Sequence, residues 1–117
     1  MKIFNLLVRP LVLSKARKVT NHCKKFVHGK VLDLGAGRCY IAKHIQETCN
    51  VEVKCIDIDD LNETNLELIV YDGKKIPFKN NEFDTVLIVY VLHHCESPLE
   101  VLKECKRVCK SGGKIII

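Results

Sequence analysis

Asp33, Asp57, Asp72 and the pair His93-His94 are the side chains whose positions in this chain suit them to chemistry. Asp33 stands two residues before the turn Gly35-Ala36-Gly37, where a tight backbone lets a ligand approach closely. A carboxylate there faces a cationic or hydroxyl-bearing ligand group and does not suit a pyrophosphate, which is already negative. Asp57 follows Gly37 by twenty residues, and a carboxylate at the carboxyl end of a second parallel strand is placed to accept hydrogen bonds from a ribose diol. It identifies an adenosine ribose more than any one cofactor, whereas Asp59 and Asp60 fit helix capping better. Asp72-Gly73 is, taken alone, a common turn dipeptide. His93 and His94 close the most apolar run of the chain, where a histidine can serve as a general base or simply support the helix that follows. Cys95, Cys105 and Cys109 add ligand types without a recognised zinc spacing, so no metal is expected.

The elements that must position these groups follow from hydrophobic periodicity. Val31, Leu32 and Leu34 read as a short buried strand, and Tyr40, Ile41, His44 and Ile45 recur at helical spacing beyond the glycines. The loop therefore feeds a helix N-terminus, whose free N–H groups favour anionic or polar ligand groups. That helix is expected from Tyr40 to Thr48, then a second strand over Val51–Ile56 and a third over Leu66–Tyr71, with at most a brief helix in Leu61–Leu66. Val86 to Tyr90 has the length and β-branched content of a central strand buried on both faces. Ser97 as N-cap, Pro98 at the first position and Glu100 three after the cap open another helix. Ser111-Gly112-Gly113 is expected to stop it, and Lys114–Ile117 to start a fifth strand. The fold class is α/β, a Rossmann-like doubly wound parallel sheet of strand order 3-2-1-4-5.

At 117 residues, with 47% hydrophobic and 28% charged, the chain fits one ordinary globular domain. Its seven cysteines are scattered through apparent strands and helices, which reads as a reducing, cytoplasmic setting and not as a disulfide framework. No apolar run approaches the ~20 residues that span a bilayer. The net charge of +5 is uneven: residues 1–30 hold eight Lys or Arg and no acid, while residues 31–117 hold eleven basic and fourteen acidic residues. Val12, Ala16, Val19, Cys23 and Phe26 step by three or four through that leader, and Pro10 suits the first turn of such a helix. The organisation expected is a basic amphipathic helical segment over 1–30 and an α/β domain over 31–117. The segment is expected to pack on the sheet with a solvated lysine face; contact with a membrane or nucleic acid is the less favoured reading.

Asp33-Leu34-Gly35-Ala36-Gly37 resembles the first motif of the class I S-adenosylmethionine-dependent methyltransferases. Further stretches match that family in order: Ile56-Asp57-Ile58-Asp59, Tyr71-Asp72-Gly73 with Ile76-Pro77-Phe78, Phe83-Asp84 with Val91-Leu92-His93-His94, and Gly112-Gly113. The look is to the small-molecule branch that includes the quinone-biosynthesis methyltransferases. The resemblance implies that S-adenosylmethionine is the cofactor, with Asp33 and the Gly35, Ala36 and Gly37 backbone at its methionine portion, Asp57 and Ile58 at the ribose end, and Asp72 with Gly73 at the adenine. It also implies methyl transfer to an unidentified acceptor, a small molecule being favoured; His93 and His94 are candidate catalytic residues by their own position at the strand end, whereas in that family this histidine position is frequently architectural. A complete sheet of that family has two further strands. Without them Ile115–Ile117 forms an exposed apolar edge, expected to pair with a second copy or a partner subunit, or to be covered by residues 1–30. Two other classes compete: a non-catalytic cofactor-binding or partner-stabilising module, and an NAD-dependent oxidoreductase, whose fingerprint wants a third glycine where Tyr40 stands.

Overall fold

The computed structural model describes residues 2–89, 92 and 95–117, with residues 2–10 and 12 described by their backbone course alone. Along the chain run α1 (Lys2–Cys23), β1 (Lys30–Leu34), α2 (Tyr40–Cys49), β2 (Glu52–Asp57), β3 (Leu68–Val70), β4 (Phe83–Leu87), α3 (Pro98–Val108) and β5 (Cys109–Ile116). The strands form a sheet of order β3-β2-β1-β4-β5 in which every pairing is parallel, as the sequence leads one to expect. Alternation along each strand splits the core into two layers. Leu32, Leu34, Ile56 and Val86 face α3 with Val101, Cys105 and Val108. Val31, Val53 and Cys55 face α2 and the end of α1, with Ala42, Ile45, Cys23 and Val27. Phe83 is fully buried and meets the Phe78 ring edge-on at 5.0 Å, closing the first layer below the 74–82 loop.

Several boundaries differ from expectation. α1 starts at Lys2, so Pro10 lies inside the helix and not in its first turn. A proline there removes one backbone hydrogen bond, and the leucines on either side, Leu6, Leu7 and Leu11, are strong helix formers that carry the helix through. Ala16 and Cys23 are buried and Val19 half-buried as expected, but Phe26 is 46% exposed and Val27 takes the inner position. The cause is that α1 ends at Cys23, and the turn over 24–26 breaks the helical spacing. Thr20 is the polar member of the buried stripe: its hydroxyl donates to the Ala16 carbonyl at 2.8 Å and meets His44 Nδ1 at 2.9 Å, tying α1 to α2.

β4 covers Phe83–Leu87 instead of Val86–Tyr90. Its register with β1, which pairs Val31 with Thr85 and Asp33 with Leu87, runs out where β1 ends at the glycine loop. Tyr90 itself lies outside the described residues. Ser97 makes no side-chain cap on α3, and Glu100 faces Lys103 at 3.3 Å in place of a capping box. The extended backbone of Ser97 (φ −133°, ψ 83°) leaves its carbonyl to accept the Val101 N–H at 3.2 Å. α3 also stops earlier than the glycines suggest. Cys109 turns extended, its N–H still bonded to the Cys105 carbonyl, and pairs at once with Phe83. Gly112 and Gly113 then belong to an irregularity of β5, between the pairs Phe83–Cys109 and Thr85–Lys114, and not to a helix terminus. A Cβ on Gly113 would sit 2.7 Å from Cys109 Sγ and 2.8 Å from the Asp84 carbonyl oxygen, so the bulge requires glycine there. β5 is an edge strand, with Ile115 38% and Ile117 74% exposed.

Candidate functional site

Parallel strands deliver their carboxyl ends to one side of the sheet, and there the ends of β1, β2 and β3 and the first turns of α3 enclose a cavity of about 980 Å³. Gly35, Asp57, Ile58, Asp72 and Gly73, all singled out from the sequence, line it. Asp33, Ala36 and Gly37 are not part of its lining: Asp33 lies beneath the glycine loop, 3% exposed. His93 and His94 lie outside the described residues.

The loop is held from below. The Gly35 and Ala36 N–H groups both donate to the Ile56 carbonyl, at 2.9 and 3.1 Å, and the Gly37 N–H donates to Asp57 Oδ2 at 2.8 Å. These donors are committed within the fold, and the Ala36 carbonyl is used as well, accepting the Cys39 N–H at 2.9 Å. Gly35 and Gly37 adopt φ of 75° and 56°, and a Cβ on Gly37 would meet nothing within 4 Å, so left-handed backbone and not crowding is what selects glycine at that position. At the exit of the loop Glu63 acts as a clamp: it accepts from the Tyr40 hydroxyl at 2.7 Å, faces Arg38 Nε at 3.4 Å, and its N–H donates to the Arg38 carbonyl.

Asp57 joins three segments. Besides the Gly37 N–H it accepts the Ile58 N–H on Oδ1 at 2.7 Å, and its carbonyl accepts the Tyr71 N–H at 3.0 Å. Each carboxylate oxygen keeps a lone pair for a ligand hydroxyl. Its negative charge also reaches Asp33, whose carboxyl is pushed up to about 7 by burial first and by Asp57 second. Asp72 closes its own turn, Oδ1 accepting the N–H groups of Lys74 and Lys75 at 2.8 and 2.9 Å, and these bonds hold its carboxyl below the usual range. The turn and the aimed carboxylate are thus one feature. Gly73 has φ 80°, and a Cβ there would come 3.2 Å from Ile58 Cγ2. Ile58 is 57% exposed, an apolar surface beside the carboxylates.

Sequence reasoning missed the far wall. Ser97, Glu100, Val101 and Glu104 line the cavity from α3, and their spacing of three and four was the available signal. Tyr71 also lines it, its hydroxyl pushed up to about 12 by burial, so it stays protonated at neutral pH. Glu104 is fixed from behind: Arg107 bonds both its oxygens, at 2.6 and 3.0 Å, and Oε1 accepts the Ile76 N–H at 2.8 Å. Arg107, the strongest influence, holds that carboxyl below its usual range. Glu104 is paired with Arg107 and Glu100 with Lys103, so Asp57, Asp72 and Glu96 with Lys74 and Lys75 make a polar, mixed-charge lining beside apolar Ile58 and Val101.

The methyltransferase domain family matches residues 32–117. An uncharacterized protein of Methanocaldococcus jannaschii is 36% identical over 76% of this chain and 43% of its own length. A ubiquinone/menaquinone biosynthesis C-methyltransferase of Coxiella burnetii is 29% identical over 81% of this chain and 44% of its own length. A putative S-adenosylmethionine-dependent methyltransferase of Methanococcus maripaludis superposes with a TM-score of 0.75 at 18% identity, covering 97% of this chain and 57% of that one. The chain spans less than half the length of the two curated relatives.

Proposed function

Because this chain belongs to the methyltransferase domain family, we propose that it binds S-adenosylmethionine in the cavity at the strand ends and transfers the methyl group to a small-molecule acceptor. The observation that carries the reading is Asp57, anchored by the Gly37 N–H at 2.8 Å at the end of β2, on the wall that exposed Ile58 shares with Gly73. The residues present fit the cofactor. Asp57 accepts a ribose diol, Asp72 with Gly73 receives the adenine edge, and Ile58 supplies an apolar surface for the ring. Gly35, the member of the loop that lines the cavity, stands at the methionine end, with Asp33 beneath the loop. When bound, the cofactor supplies an electrophilic methyl on a sulfonium with a neutral, built-in leaving group.

What the chain's own residues do is position. Tyr71 keeps its proton and offers a hydrogen-bonding hydroxyl, not a base. Glu104, held ionised and immobile by Arg107, is a fixed hydrogen-bond acceptor on the α3 wall. Holding reactants in line supplies a large share of the rate in such transfers, so a dedicated base is optional. A quinone-type or other small acceptor is supported by the name of the Coxiella burnetii relative. A reducing compartment, the cytoplasm, is supported by seven free thiols, five of them buried.

Gly73→Val tests the adenine placement. The new side chain is strained at φ 80° and its Cβ starts 3.2 Å from Ile58 Cγ2, so affinity for S-adenosylmethionine is expected to fall about tenfold, ~1.4 kcal/mol. Titration calorimetry below the variant's melting temperature reads this directly. Unchanged affinity in the folded variant would remove Gly73 from the adenine end.

A further inference from the structure

We propose that α1 is an interfacial docking surface that seats the chain on an anionic lipid bilayer. Its inner stripe is occupied, with Ala16, Thr20 and Cys23 buried on the α2 side. Its outer surface carries two kinds of group together. Leu11 is 72% and Leu13 44% exposed, and Lys15, Arg17, Lys18, His22, Lys24 and Lys25 follow, all exposed. Leu11, Lys15, Lys18 and His22 are spaced by four, three and four and therefore share one face of the helix, while Leu13 lies about half a turn away from Leu11 and Lys25 follows in the turn after the helix. Phe26, 46% exposed with Lys25 Nζ 5.1 Å from its ring centroid, extends this mixed surface past the helix end.

The charge distribution commits the occupant. Residues 1–30 hold eight Lys or Arg and no acid, whereas the rest of the chain holds eleven basic against fourteen acidic residues. Arg17, Lys18 and Lys25 enter no ion pair among the described residues. An anionic surface is therefore drawn to one side of the molecule and repelled by the remainder, which sets orientation as well as affinity. A nucleic acid would use the lysines but has no use for Leu11 on the same face, while a lipid interface takes the leucine and the lysines together. Among the described residues no helix is long and apolar enough to cross a membrane, and the docking proposed is that of a helix lying along the interface. This surface is separate from the strand-end cavity, and its failure leaves the cofactor reading untouched.

Co-sedimentation of the full chain with vesicles tests it. Vesicles of equal parts phosphatidylserine and phosphatidylcholine are expected to bind the chain at least ~tenfold more tightly than phosphatidylcholine alone, and added salt to weaken that binding. Lys18→Glu with Lys25→Glu should abolish the preference. Leu11→Ser should weaken binding to the anionic vesicles several-fold with the circular dichroism spectrum unchanged. Equal sedimentation with both vesicle types would overturn the proposal. So would tighter binding to a single-stranded oligonucleotide that Leu11→Ser leaves unaltered, which would make the surface a nucleic-acid contact.

Discussion

The contribution of Asp33 to stability is expected to fall by ~4 kcal/mol as the pH rises from the ordinary carboxyl range near 3.8 to about 7. In the folded chain the carboxyl is buried under the glycine loop and faces the Asp57 charge, so it keeps its proton up to about 7. In the unfolded chain it ionises near 3.8. Between those values the native state binds a proton that the unfolded state lacks, and stability declines with rising pH across that window. Other carboxylates run the opposite way: Asp72, Glu82, Asp84 and Glu104 are all held low, and they lose stability as the pH falls. The contribution of Asp33 is therefore read as the difference between the unmodified chain and Asp33→Asn, which carries no ionisable group there. Urea unfolding of both proteins across the window should show that difference shrinking and then reversing. Parallel profiles would mean that Asp33 is ionised throughout.

Arg107→Met is expected to destabilise the fold by about 3 kcal/mol, lowering the melting temperature by roughly 10–15 °C. The guanidinium uses its fork fully: two bonds to Glu104, one each to the Phe78 and Ile76 carbonyls at 2.9 and 2.8 Å, and one to Asn80 Oδ1 at 2.9 Å. It thus pins the loop between β3 and β4 onto α3. Methionine keeps much of the stem's packing but leaves those carbonyls and the partly buried Glu104 carboxylate without their donor. Glu104→Gln restores a neutral partner, so the double variant should recover part of the loss. A single variant within ~0.5 kcal/mol of the unmodified chain would show that the network is solvent-screened and contributes little.

The sheet order was legible because short strand-like apolar runs at β1, β2 and β4 alternate with helical spacing, the pattern of a parallel α/β sheet, and because Gly35-Ala36-Gly37 and Asp72-Gly73 punctuate them. Asp57 was legible for the same reason, since its distance from Gly37 places it at the end of the next strand. What escaped depends on contacts between segments distant in sequence. Glu63 reads as one polar residue of a loop until the fold brings it to Tyr40 and Arg38. The inward commitment of the loop N–H groups follows from where the Ile56 carbonyl lies, which no local pattern encodes. The early end of α3 was hidden because Cys109 and Lys110 continue a helical pattern that pairing of Cys109 with Phe83 overrides.

Calorimetric titration of S-adenosylmethionine into the unmodified chain and into Asp57→Ala, with NAD as the parallel ligand, tests the central claim most directly. Saturable binding of S-adenosylmethionine at one site and no binding of NAD are expected. Affinity should fall by ~1–3 kcal/mol in Asp57→Ala through loss of charge-assisted hydrogen bonds, with the fold intact by circular dichroism. Equal affinity in the folded Asp57→Ala variant, or saturable binding of NAD in place of S-adenosylmethionine, would contradict it.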